Sequence, residues 1–370
     1  MSKVDSHLVT KFRSYRDFLI TLRCNNIMHL YLRNEFKKFE HRVILTPANC
    51  KELIDMGVKI TVESSTTRCF TDFEFESVGC EITSKHFDEF EKNTYIMGLK
   101  ELYHTTEKSF EFCHVYFAHC YKEQTGWKEL LHQFENGRIL DLEFLVENGR
   151  RVAAFGYYAG YAGAALSVDV YNGNNGPYSP QAKDILLANI KSGIQKAPTV
   201  MVLGALGRCG KGAIQCCLDL GIPKENILEW DLAETKKGGP FKEILGVDIF
   251  INCIYLTNKI APFLTTEMLN TEKALKVICD VSCDYTSPNN PIPVYHQGTS
   301  FDKPVVDVDG GVKVIAIDHL PTLLPREASS EFGTQLLPHV KQLPDNPFGE
   351  LPGVWNGALS IFEEKKKLAK

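Results

Sequence analysis

Three polar side chains in the first half of the chain follow apolar runs at the points where those runs give out: Lys100 in GLKE, His119 in FAHCYKEQ and Glu143 in DLEFL. An amine, an imidazole and a carboxylate are the usual carriers of general acid–base chemistry. Beyond Glu143 come Arg150 and Arg151, whose guanidinium groups can hold carboxylates through paired hydrogen bonds that lysine cannot reproduce. His119 and Cys120 are neighbours in what reads as an extended segment, so their side chains point apart and a Cys–His nucleophile is not expected. Taken singly, each group is equally a solvated or structural side chain. Their common placement after successive strands matters more, because ligands of open α/β sheets bind at the carboxyl ends of strands.

A second constellation is TVMVLGALGRCGKGAIQCCLDL, from Thr199 to Leu220. An apolar run to Leu203 turns through Gly204, Gly207 and Gly210 into a segment with helical spacing. Glycine permits the sharp turn and a close approach of backbone to ligand, and the new helix offers free N–H groups to an anion. A second strand, Ile227 to Trp230, delivers Asp231, where dinucleotide folds hold the ribose hydroxyls. The spacing is G-x-x-G-x-x-G rather than G-x-G-x-x-G, and an ordinary β–α turn without a ligand has the same outline. Asp231 favours NAD, since a carboxylate repels the 2′-phosphate of NADP, while Lys236 and Lys237 are loop cations that either meet a phosphate or face water.

The elements that would position these groups alternate. Leu30 to Arg33 reads as a strand, Ala48 to Met56 as a helix closed by Gly57, Lys59 to Val62 as the next strand, then Tyr95 to Leu99 and Val115 to Ala118. Gly126 to Phe134 reads as a helix and Ile139 to Phe144 as a strand. This is βαβ material. Tyr157 to Leu166, YYAGYAGAAL, predicts a small-residue helix that lets backbones approach closely. After Asp231 come strands over Asp248 to Ile254, Val277 to Val281 and Val312 to Ile317, and helices near the C-terminus. The expected class is α/β: two Rossmann-like domains with mainly parallel sheets and an active-site cleft between them. Residues 30–155 with about 330–370 form the substrate domain, 156–329 the dinucleotide domain, and 1–29 an N-terminal extension.

Composition sets outer bounds. The chain has 370 residues and a formal net charge of −5. It has no basic excess to suggest nucleic acid and no apolar run of the roughly 20 residues that a membrane span needs. Its 12 cysteines are scattered, without a C-x-x-C pair, so most read as reduced, buried residues of an intracellular protein, and no metal is expected. The extension carries Lys3, Lys11, Arg13, Arg16 and Arg23, which also fits an organelle transit peptide. We expect a cytoplasmic monomer.

A run of blocks in order makes the sequence more specific: LRNEFKKFEHRVILTP, GLKE, FAHCYKEQTGW, DLEFL, GRRVAAFGYYAGYAGAAL, GALGRCGKGA, GGPF, DIFINCIYL and IDHLPTLLPREAS. Together, from about Leu30 onward, they resemble the lysine-forming, NAD-dependent saccharopine dehydrogenases of the α-aminoadipate pathway, which are similar in build to alanine dehydrogenase and the transhydrogenase NAD domain. Members often end in a peroxisomal Ser-Lys-Leu; this chain ends Leu-Ala-Lys.

The resemblance implies oxidation of the secondary amine of saccharopine to an imine, then hydrolysis to lysine and 2-oxoglutarate. Lys100 would take the amine proton, His119 would serve water addition and carbinolamine collapse, and Glu143 would moderate the cationic site. Arg42, Arg150 and Arg151 would match the three substrate carboxylates, with Gln124, Phe155, Lys37, Glu40 and Lys122 around them. For the cofactor it implies Gly204, Gly207, Arg208, Asp231, Thr235, Tyr255, Val281 and the turn Asp318, His319, Leu320. Cys209 opens the dinucleotide helix and Cys253 ends a strand, so adjacent strands could bring the two within bridging reach, against the reduced pair expected inside a cell. A related alanine dehydrogenase-like enzyme and a non-catalytic NAD-binding module are the rival readings.

Overall fold

The structure is a computed structural model that describes residues 27–102, 109–122 and 125–369. The N-terminal extension up to residue 26, and Gln124, lie outside the described residues. The chain divides into two compact units, one running to Ala153 and resuming at Gly333, the other Ala154–Phe332.

In the first unit a six-stranded parallel sheet has the order β3-β2-β1-β4-β5-β6. Its strands are β1 (His29–Leu32), β2 (Lys59–Glu63), β3 (Glu81–Thr83), β4 (Thr94–Met97), β5 (Cys113–Tyr116) and β6 (Arg138–Asp141). All four residues of β4 and of β5 are buried, as expected for strands covered on both faces. Helix α1 (Pro47–Asp55) starts at Thr46, whose hydroxyl accepts the Asn49 N–H while Asn49 Oδ1 accepts the Thr46 N–H at 2.9 Å. Two short helices, α2 (Asp72–Glu76) and α3 (Trp127–Gln133), follow. The strand order reverses between β1 and β4, and the loops leaving β1, β4, β5 and β6 emerge on one edge. Open parallel sheets bind ligands at such a switch point.

A small hairpin, β7 (Val146–Glu147) and β8 (Arg150–Arg151), follows β6. Asn148 and Gly149 connect it with φ of 50° and 74°, the pair of left-handed residues that a two-residue turn of this hand needs.

The second unit holds a six-stranded sheet in the order β10-β9-β11-β12-β14-β13, parallel except for its last strand. The strands are β9 (Val200–Leu203), β10 (Ile227–Trp230), β11 (Ile249–Asn252), β12 (Val277–Asp280), β13 (Val306–Val308) and β14 (Val312–Ile315). Alternate residues face opposite sides: Val200 and Val202 join a core with helices α4 (Gly156–Tyr171), α5 (Lys183–Gly193) and α6 (Arg208–Asp219), while Met201 and Leu203 join a second core with Phe241 and Phe263. Helices α4 and α6 touch backbone to backbone. A Cβ on Gly160 would lie 1.9 Å from the Cys209 carbonyl oxygen, and one on Gly212 1.8 Å from that of Tyr157. Short helices α7 (Leu232–Thr235) and α8 (Thr266–Leu269) complete this unit. The unit boundary falls within α9 (Pro325–Val340), and α10 (Gly353–Ala369) packs on β6 and α3. Among the described residues no helix is long and apolar enough to cross a membrane.

Candidate functional site

The backbone that presents Lys100 is itself clamped. Leaving β1, Arg33 and Glu35 form an ion pair at 3.1 Å with side chains 1% and 7% exposed. Glu35 accepts the N–H groups of Leu99 at 2.6 Å and Lys100 at 3.0 Å, and Arg33 donates to the Lys100 carbonyl. Gly98 leaves the room for this, since a Cβ there would meet the Arg33 guanidinium at 2.3 Å. Burial pushes the Glu35 carboxyl up, against Arg33 and the two amides.

The Lys100 ammonium is destabilised first by burial and then by Arg42 and Lys37, while Glu40 and Glu101 oppose the shift; the net direction is down. This is the direction a lysine needs to serve as a base near neutrality. Arg42 and Glu40 are a buried bidentate pair, 4% and 2% exposed, at 2.8 and 2.5 Å. Burial raises the Glu40 carboxyl, but Arg42 and Lys100 outweigh it and hold the group below its ordinary range. The carboxylates acting on Lys100 are thus Glu40 and Glu101, whereas Glu143 pairs with Lys122 at 2.8 Å.

His119 follows β5 with a φ of 50°. The segment is therefore not extended here, and it is this left-handed kink, rather than strand alternation, that separates His119 from Cys120. Cys120 is buried, and burial pushes its thiol up to about 12, which removes it as a nucleophile. The His119 ring stacks near Phe117 with centroids 6.1 Å apart, and its Nδ1 meets Glu101 Oε1 at 2.5 Å. Burial raises the Glu101 carboxyl, but that hydrogen bond and charge hold it lowered to about 2. Glu143 sits in the turn after β6, its N–H donating to Asp141 at 2.9 Å.

Arg150 and Arg151 are exposed on β8 and, as successive strand residues, face opposite sides of the hairpin, so they do not grip one carboxylate together. Lys37 is exposed, and Lys122 is half-exposed. Phe155 falls in the second unit, stacked on Phe332 at 4.3 Å. Lys100, His119 and Glu143 stand at the ends of β4, β5 and β6. Arg33, Glu35, Glu101 and Asp141 escaped a role in the sequence reading, although each adjoins a quoted block. Their signal was position: each flanks a strand end already suspected.

In the second unit Gly204 has φ of 91°, and a Cβ on Gly210 would lie 2.2 Å from the Gly204 carbonyl oxygen, so the turn after β9 is as tight as its glycines imply. Gly207 caps α6 without a side-chain hydrogen bond, so no cap side chain stands between the helix N-terminus and an anion. Asp231 accepts the N–H of Leu206 at 2.9 Å and of Leu232 at 2.8 Å, and Thr235 donates to its carbonyl. Lys237 pairs with Glu243 at 2.6 Å and lies over Trp230, which explains it without a cofactor phosphate. Tyr255 is exposed after β11; Val281 follows β12; Asp318 Oδ1 accepts from His319 Nδ1 at 2.8 Å ahead of buried Leu320. Cys209 and Cys253 are free thiols, and burial first, then the neighbouring Cys209, raises the Cys253 thiol. No metal-binding cluster occurs among the described residues. A tight glycine turn, an open helix N-terminus and a strand-end carboxylate together fit a dinucleotide.

Comparison with known proteins agrees. Residues 31–162 match the alanine dehydrogenase/PNT N-terminal domain and residues 233–352 the corresponding C-terminal domain. A saccharopine dehydrogenase (NAD(+), L-lysine-forming) from Emericella nidulans is 48% identical, covering 91% of this chain and 96% of its own. The enzyme of that name from Schizosaccharomyces pombe is 46% identical over 90% and 97%. Among solved structures, the transhydrogenase from Sinorhizobium meliloti shares the fold with a TM-score of 0.65 at 16% identity, covering 89% of this chain and 97% of its own. An L-alanine dehydrogenase does so with 0.60 at 18%, covering 85% and 89%. With both halves matched and near-complete coverage at these identities, the chain belongs to the saccharopine dehydrogenase (NAD(+), L-lysine-forming) family.

Proposed function

We propose that the protein oxidatively deaminates saccharopine to L-lysine and 2-oxoglutarate with NAD. The observation that carries the reading is the buried amine of Lys100, pushed toward its neutral form, beside the ends of the strands that bear His119 and Glu143. NAD, when bound, accepts the hydride that the substrate carbon gives up. The turn at Gly204 and Gly207 with Arg208 would receive its pyrophosphate, Asp231 with Thr235 its ribose, and Tyr255, Val281 and Asp318 to Leu320 the remainder.

The residues of the first unit manage protons. Lys100 removes the proton from the secondary amine as the C–H bond breaks, leaving an imine. Water then adds to that imine, with His119 taking a water proton while protonated Lys100 returns its proton to the nitrogen; on collapse of the carbinolamine His119 protonates the departing amine and Lys100 takes the hydroxyl proton, leaving lysine and 2-oxoglutarate. Glu101 orients the His119 ring through Nδ1 and leaves Nε2 for the substrate side. Glu143 balances Lys122. For the substrate we propose Arg42, Arg150, Arg151, Lys37, Glu40 and Lys122 as polar partners in the first unit, and Gln124 and Phe155 are assigned by the resemblance alone.

The test is oxidation of NADH by purified protein with lysine plus 2-oxoglutarate, beside pyruvate plus ammonia and beside NADPH. Turnover that needs both lysine and 2-oxoglutarate is expected. Turnover only with pyruvate and ammonia indicates an alanine dehydrogenase-like enzyme, and NADH binding without turnover a non-catalytic module. Lys100→Met and His119→Gln should each lower kcat by at least about 100-fold, the lower range for loss of a general acid–base group.

A further inference from the structure

We infer that Asp141 is a positioning residue of the acid–base set, its buried carboxylate fixing the two backbone turns that carry His119 and Glu143. This rests on the function proposed above.

Asp141 ends β6 and is fully buried, an unusual place for a carboxyl group. Its Oδ1 accepts the Glu143 N–H at 2.9 Å, which shapes the turn that presents Glu143. In the sheet it lies opposite Tyr116 of β5, on the same face, three residues before His119. The backbone amide of Ala118, the residue before His119, and the His119 ring both favour the charged form of this carboxyl. One buried side chain therefore lies under the exits of both strands.

The His119 backbone needs such a hold. A φ of 50° is strained for a residue with a side chain, and such strain persists only where the surroundings over-determine it. Glu101 fixes the ring; Asp141 fixes the backbone leading into it. The other oxygen, Oδ2, has no partner among the described residues, nor do the buried hydroxyls of Tyr116 and Tyr121. An unpartnered buried oxygen costs stability, so core packing does not account for a carboxyl here. Its bond to the turns does.

The test uses Asp141→Ala and Asp141→Asn in the full chain, with kcat and KM for saccharopine, NADH affinity by fluorescence, and the His119 signal of histidine-labelled protein by NMR, assigned by its loss in His119→Gln. Asp141→Ala should lower kcat at least tenfold with KM within threefold, and should shift or broaden the His119 signal. Asp141→Asn keeps the acceptor oxygen and should return kcat to within threefold of the wild type together with the wild-type signal. Unchanged NADH affinity shows that the variants are folded. An unchanged kcat in Asp141→Ala overturns the assignment, as does an Asp141→Asn protein as slow as Asp141→Ala with a wild-type His119 signal. If Asp141→Ala does not fold, amide exchange at Glu143 in Asp141→Asn decides: slow exchange with kcat retained supports the assignment, and freed exchange with kcat retained overturns it. A wild type with no turnover on saccharopine defeats the functional reading alone, because the His119 signal still tests the positioning.

Discussion

Glu40 and Arg42 lie 2% and 4% exposed in a bidentate pair, and they act on Lys100 in opposite senses, the carboxylate raising and the guanidinium lowering its pKa. Glu40→Gln and Arg42→Met each leave one buried charge without its partner. Breaking a buried pair from one side costs about 3–5 kcal/mol. For a unit of this size that corresponds to a loss of about 6–20 °C in Tm. The two variants should thus look alike by calorimetry. They should part in the pH profile of kcat/KM, which reports the free enzyme. Without Glu40, Lys100 loses an attraction and its pKa falls, moving the acidic limb to lower pH. Without Arg42 it loses a repulsion, and the limb moves to higher pH. A neighbouring charge is worth about one unit in either direction. The double variant should restore much of the lost stability. Limbs that move together, or not at all, would refute Lys100 as the base whose charge this pair tunes.

Three further outcomes follow from single features. Burial raises the Asp141 carboxyl from 3.8 to about 6. The unfolded chain therefore gives up this proton first, and the stability Asp141 contributes is complete below pH 3.8 and lost as pH rises through about 6. Relative to Asp141→Asn, the wild type should lose about 2.5 kcal/mol between pH 4 and 7.5, most of it at about 1.4 kcal/mol per unit up to pH 6, and equal urea midpoints across that range would contradict this. Gly160→Ala and Gly212→Ala must separate α4 from α6 and should each cost about 1–3 kcal/mol and weaken NADH binding, whereas Gly246→Ala, with open space around it, should leave NADH affinity unchanged. Treatment with oxidised glutathione should join Cys209 to Cys253, and peptide mass mapping that finds both thiols free after it removes the pairing.

The strands that bear the chemistry were legible because buried parallel strands are short apolar runs bounded by glycine and charge. The expected strand over Tyr95 to Leu99 is observed over Thr94–Met97, and the one over Ile227 to Trp230 has those limits. Two of the edge strands were not: β3 and β13 are only three residues long and partly exposed, too short to stand out as apolar runs. The β7–β8 hairpin had a signal, Asn148-Gly149, that the double arginine beside it obscured. The small-residue helix extends further than its glycines suggested, over Gly156–Tyr171, because its continuation stays anchored in the core through Ser167, Val168 and Val170. At the candidate site, the strand-end positions of Lys100, His119 and Glu143 could be read from order alone. The Glu35 clamp and the Glu101–His119 contact could not, because each depends on which loops the 3-2-1-4-5-6 order brings side by side, and the burial of the local Glu40–Arg42 pair depends on the same packing.

The contact between α4 and α6 has a consequence for how such an enzyme can diversify. Where backbone meets backbone at Gly160 and Gly212, there is no side chain to be trimmed or enlarged by degrees. The starting point of α6, and with it the place where a pyrophosphate would rest, is set as by a fixed gauge. Variation in dinucleotide preference is more readily met around α7, from Asp231 to Lys237, where exposed side chains can be exchanged one at a time without moving the helix pair.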